Sequence, residues 1–165
     1  MKSIFKLLVA AFLTVAPLTI SAQSNVAHIN VQQLISEMPE VIAAQNELAK
    51  LEKDYTTQID NAFKEFQTKA QSYSSDAANQ TDVTNQARQK ELESMQTNLQ
   101  EFRDSAAQEL QKKQMDLMTP LLEKARNAIT KVGEEQGFNY VIDSSPNGGI
   151  ILANGKDLLA DVKKE

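Results

Sequence analysis

The sequence predicts an α+β fold: a small three-stranded β base that oligomerises, with one long antiparallel α-helical hairpin arm per chain. Three observations predict it. Two apolar stripes, in steps of mostly three and four residues, run through a Gln-, Glu-, Lys-, Ala- and Leu-rich stretch from Pro39 to Gln136. A small, polar, turn-prone break at 74–82 separates the stripes. Short segments rich in β-branched residues flank the stretch, at Val26–Asn30 and Phe138–Asp143.

The first residues read as an export signal. Lys2 and Lys6 precede an apolar run from Leu7 through Val15, and Ser21-Ala22 offers small residues for cleavage. Residues 1–22 are therefore expected to be a signal peptide cleaved near Ala22. A membrane anchor is the alternative reading, but the run is short and interrupted by Thr14, Pro17 and Thr19. Residues 23–165 would form a single domain. In it, 23–38 and 137–165 make the β body with short helices, and 39–136 the arm, with its tip near 74–82.

Within the body, Val26–Asn30 is the first strand, and Asn30 can cap a short helix from Val31 to about Glu37. Pro39 stops that helix and suits the first turn of the next, where its missing N–H costs nothing. The first arm helix should run to about Tyr73, roughly 54 Å at ~1.5 Å per residue. Its stripe is Val41, Leu48, Leu51, Tyr55, Ile59, Phe63, Phe66, Ala70 and Tyr73.

Thr81 or Asp82 can cap the second helix, Val83 to about Gln136, with stripe Val83, Ala87, Leu92, Met95, Leu99, Phe102, Ala106, Leu110 and Leu117. Folding back near Asn79 sets Tyr55 against Phe102, Ile59 against Leu99, Phe63 against Met95 and Ala70 against Ala87. Pro120 should kink the second helix, and the apolar face beyond it must pack on the base. Gly137 ends the helix in a left-handed conformation. Phe138–Asp143 then forms a hairpin with Ile150–Ala153 across the turn at 144–149. Asp157 caps a terminal helix from Leu158 to about Lys164.

Composition narrows the function classes. The chain has no Cys, which excludes disulfides, thiolate metal sites and thiol nucleophiles. Without Lys2 and Lys6 the mature chain carries 15 basic and 22 acidic residues, net −7. That balance argues against nucleic acid as a partner, and leaves membrane contact at most transient. His28 is the only histidine, and the carboxylates ride on helices among Lys neighbours. No catalytic set, metal site, phosphate loop or cofactor is expected.

Three short strands with few aromatics bury little surface alone. The base is therefore expected to oligomerise through Val26, Ile29, Tyr140, Ile142 and Ile151. On the arm, Phe63, Phe66, Tyr73, Met95, Phe102, Met115 and Met118 carry two readings: hairpin seam, or adaptable apolar contact with a partner in a cavity between arms.

The pattern resembles the OmpH/Skp family of periplasmic chaperones. The residues that carry the resemblance are Val26-Ala27-His28-Ile29-Asn30, Leu34-Ile35 and Met38-Pro39-Glu40. At the far end they are Glu134 through Asp143, Ile151-Leu152-Ala153, and Asp157 through Val162. The resemblance implies a periplasmic homotrimer whose helical arms enclose a cavity. Unfolded outer-membrane β-barrel proteins would be held there without ATP and kept from aggregating. Familiar members are strongly basic, whereas this mature chain is acidic, so apolar and shape-based contacts are expected to dominate. The competing expectation is a structural coiled-coil spacer or tether of the envelope that binds no client.

Overall fold

The computed structural model describes residues 25–146 and 148–165. The expected signal peptide lies outside the described residues. The chain runs β1 (Val26–Ile29), α1 (Val31–Glu37), α2 (Pro39–Asp76), a 3-10 turn (Ala77–Asn79), α3 (Asp82–Glu135), β2 (Tyr140–Asp143), β3 (Lys156–Asp157) and α4 (Leu159–Val162).

The helix boundaries follow from capping. Asn30 accepts from the Gln33 amide and starts α1. Pro39 occupies the first turn of α2. Thr81, not Asp82, caps α3 by accepting from the Thr84 amide. Gly137 has φ +73°. The Gly137 amide donates to Glu134 O (3.0 Å) and the Phe138 amide to Gly133 O (2.9 Å), the paired bonds of a Schellman ending. α3 continues helical through Pro120.

α2 and α3 form the hairpin. With 38 and 54 residues, they are about 57 and 81 Å long at ~1.5 Å per residue. Val41, Ala44, Leu99 and Ala106 are buried along the seam. Tyr55 and Phe102 meet edge to face at 6.0 Å between ring centres, the partners that the fold-back assigns. The tip departs from expectation: residues 74–76 stay helical and the reversal is confined to 77–81. Val83 is 77% exposed and Ala87 is exposed, so the seam near the tip runs instead through half-buried Thr84, Asn85 and Arg88. Polar capping and ion pairing at the reversal displace the apolar stripe there.

The sheet is wholly parallel, in the order β2-β1-β3. Val26 pairs with Tyr140 and Ile29 with Asp143; on the other edge Ala27 pairs with Lys156 and His28 with Asp157. This corrects the expected hairpin. Ile150–Ala153 is not a strand, and β2 pairs only with β1. The reason is burial further on: the chain crosses to the far edge of β1, where Leu158 (0% exposed) and Val162 enter the core. Leu158 precedes α4 rather than opening it, and Asp157, in β3, accepts from the Leu159 amide at 2.9 Å.

One core holds the base. Ala27 and Ile29 of β1, Leu34 of α1, Ala125 and Val132 of α3, Leu158 and Val162 form a single buried cluster. The end of α3 is thus the layer that covers the sheet. Gly133 makes this approach possible, because a Cβ there would lie 2.8 Å from Val141 Cγ2. Gly133→Leu is expected to cost about 2–3 kcal/mol through overpacking. Urea unfolding would measure it, and an unchanged midpoint would show that the helix does not press on β2.

Candidate functional site

The two flanks of the hairpin differ. On one flank, polar side chains bridge α2 and α3. Lys69 Nζ and the Tyr73 hydroxyl donate to Glu91 at 2.7 and 2.6 Å. Lys113 pairs with Glu47 at 2.8 Å, and Lys124 pairs with Glu40. Lys69 and Lys113 are raised by their carboxylates, and Glu91 and Glu40 are lowered by their lysines. Glu109, beside the Tyr55 hydroxyl, pushes that phenol up. At the tip, Arg88 donates to Asp76 (3.0 Å) and lies 4.7 Å over the Tyr73 ring.

The other flank carries an aromatic pair in place of these bridges. Phe63 and Phe66 stack with ring centres 6.5 Å apart and planes 23° from parallel. They border a 440 Å³ recess with Gln96, Leu99, Gln100 and Arg103. The seven arm candidates therefore divide. Tyr73 is engaged with Glu91 and Arg88, while Met95 and Phe102 are half-buried beside Leu99. Phe66 and Met118 are half-buried, and Phe63 (40%) and Met115 (55%) are exposed.

The base candidates also divide. Tyr140 and Ile142 are exposed and Ile151 fully so, with Leu152 exposed beside it. Val26 is half-buried. Ile29 is buried in the chain's own core and offers no surface to a second copy. His28 is a structural tie. Its Nε2 donates to Gly155 O at 3.1 Å, and in the neutral ring Nδ1 then accepts from the Ser144 hydroxyl at 3.2 Å.

Sequence reasoning missed a polar knot. Asp143 and Ser145 satisfy the first amides of α1, from Val31 (3.3 Å) and Gln32 (3.1 Å). The Ser145 hydroxyl in turn donates to Asp143. These bonds hold the Asp143 carboxyl low, the Ser145 contact foremost. An Asp-x-Ser following a strand was the available signal, but it reads equally as a turn.

Asp161 links the end of α3 to the edge strand. It accepts from Gln136 Nε2 (3.0 Å) and pairs with Lys156 (3.0 Å). Gln136 first, then Lys156, lower its pKa from 3.8 to about 2. A lowered folded-state pKa means that the unfolded chain binds more protons in this range. The stabilisation is therefore complete above the ordinary carboxylate value and is lost as pH falls towards the folded one. Urea midpoints between about pH 5 and about pH 2 should fall less steeply in Asp161→Asn than in the parent chain. Parallel profiles would remove Asp161 from the acid response.

Among the described residues no group of three His, Cys, Asp or Glu side chains is placed to hold a metal ion. No described helix is long and apolar enough to cross a membrane. The family model described as "Outer membrane protein (OmpH-like)" matches residues 25–165. The chain is 28% identical over 147 residues to chaperone protein Skp of Yersinia enterocolitica, covering 86% of this chain and 85% of that protein. It is 21% identical over 150 residues to chaperone protein Skp of Pectobacterium atrosepticum, covering 91% and 90%. The crystal structure of an OmpH-like protein from Caulobacter crescentus superposes with a TM-score of 0.76 at 12% identity, covering 86% of this chain and 82% of that one.

Proposed function

Because the chain belongs to the OmpH-like outer membrane protein family, we propose that it is an ATP-independent periplasmic holdase chaperone. It binds unfolded outer-membrane β-barrel proteins between helical arms and prevents their aggregation. In this reading residues 1–22 are a cleaved export signal and 23–165 are the working domain.

The observation that carries the proposal is the pairing of a slender returning arm with an uncovered base. A two-helix arm encloses nothing by itself, so a cavity needs several copies around a common body. The base supplies apolar surface for that assembly at Tyr140, Ile142, Ile151 and Leu152, exposed within a single chain. A trimer is the assembly we propose. The chain also folds back on itself, which halves the reach that a spacer of the same length would have. The work assigned is binding and not bond chemistry: contacts repeated along an arm can retain a client without nucleotide.

The decisive assay uses a feature of composition. The chain has no Trp. A Trp-containing outer-membrane β-barrel protein diluted from urea reports its own emission while light scattering reports aggregation. Suppressed scattering with a saturable emission shift, at about one client per trimer, is expected. Unchanged scattering and emission at large excess would favour the spacer. Ile151→Asp should convert the assembly to monomer in sedimentation equilibrium at tens of micromolar, with the helical circular dichroism retained. A parent chain already monomeric there would sink the trimer.

A further inference from the structure

We infer that the unbridged flank of the hairpin is the face that holds the client, and that the ion-paired flank faces away from it. The inference rests on the holdase reading and adds the surface and its chemistry. Two stripes of α3 separate the flanks. One passes through Glu91, Glu109, Lys113, Asp116 and Lys124, and three of these residues make the ion pairs that bridge α2 and α3 on this flank. The other runs Gln96, Gln100, Arg103, Ala107, Gln111, Gln114, Met118 and Leu122, in steps of three and four that keep one side of the helix. It carries a single charge over seven turns.

Two recesses lie along that stripe. The 440 Å³ recess beside Phe63 and Phe66 takes in Gln96, Gln100 and Arg103. At the arm root, a 670 Å³ recess takes in Leu122, Ala125 and Ile129, the continuation of the stripe, with Phe138 of the base; Arg126, Glu134 and Asp143 also line it. A charge-poor stretch thus runs along the arm from Gln96 to Leu122 and meets further charged groups only at the root.

Its chemistry fits one occupant, an extended unfolded segment of a membrane β-barrel. Such segments alternate apolar and polar residues and leave backbone amides and carbonyls unpaired. Glutamine side chains offer both donor and acceptor to those groups, Gln100 by exchanging its 3.0 Å bond to Asp104. Phe63, Phe66 and Met118 offer apolar contact without fixed geometry. The opposite flank already pairs its charges across the hairpin and would have to desolvate them to bind such a segment.

The chain has no native Cys, so single cysteines can be placed cleanly. Gln100→Cys and Gln111→Cys lie on the unbridged flank; Asn98→Cys and Ser105→Cys lie on the bridged one, and all four positions are exposed. Each full mature chain is labelled with benzophenone maleimide and mixed with a urea-unfolded, Cys-free β-barrel protein. It is then irradiated, with light scattering read on the same sample. Client adducts from positions 100 and 111 are expected in about tenfold excess, the ratio that ~1.4 kcal/mol of contact preference produces. Equal or reversed yields with scattering suppressed would overturn the flank assignment and leave the holdase reading standing. Adducts joining 100 or 111 to another copy of the chain, in place of client, would assign the face to self-association and overturn the inference. Unsuppressed scattering with no adducts anywhere would overturn both readings.

Discussion

The structure depends on one burial event: Ile29 and Leu158 closing against Ala125 and Val132 at the end of α3. A three-stranded sheet with strands of four, four and two residues buries little surface on its own. It becomes a layered unit only because the last turns of an arm helix lie across it, brought close by a glycine at 133. The far strand, the terminal helix and the left-handed Gly137 ending all serve to return the chain to that contact.

The arm obeys a different rule. Its seam is narrow, and small residues such as Ala44 and Ala106 are buried in it. The ion pairs along its flank are exposed, and such pairs contribute little individually to stability. Their value lies in pinning which residue of α2 faces which residue of α3. The α3 stripe on the other side is mostly amide and apolar, with Arg103 its one charge.

Much of this was legible in the sequence, for identifiable reasons. Asn30, Pro39, Thr81 and Gly137 are local signals whose meaning depends on their neighbours alone, and they mark the helix ends. The Tyr55–Phe102 contact follows from periodicity once the chain folds back. The errors arose where distant burial overrode a local pattern. Ile150–Ala153 is an apolar run of strand length, yet Leu158 draws the following chain to the other edge of β1. Ile29 has the residue type of an interface but fills the chain's own core. On the arm, a stripe of apolar residues does not reveal that Phe63 stands outside the seam. The separation into a bridged and an unbridged flank needed the positions of Glu91, Lys113 and Lys124 relative to α2.

α3 belongs to both parts of the molecule, extending without interruption from the tip reversal to the sheet. It is therefore a lever with its short end embedded in the base. With an arm of about 57 Å, one degree of tilt at the root sweeps the tip by about 1 Å. The position of the arm tip is consequently geared to sub-ångström repacking beneath Ala125 and Val132, far from anything the tip touches.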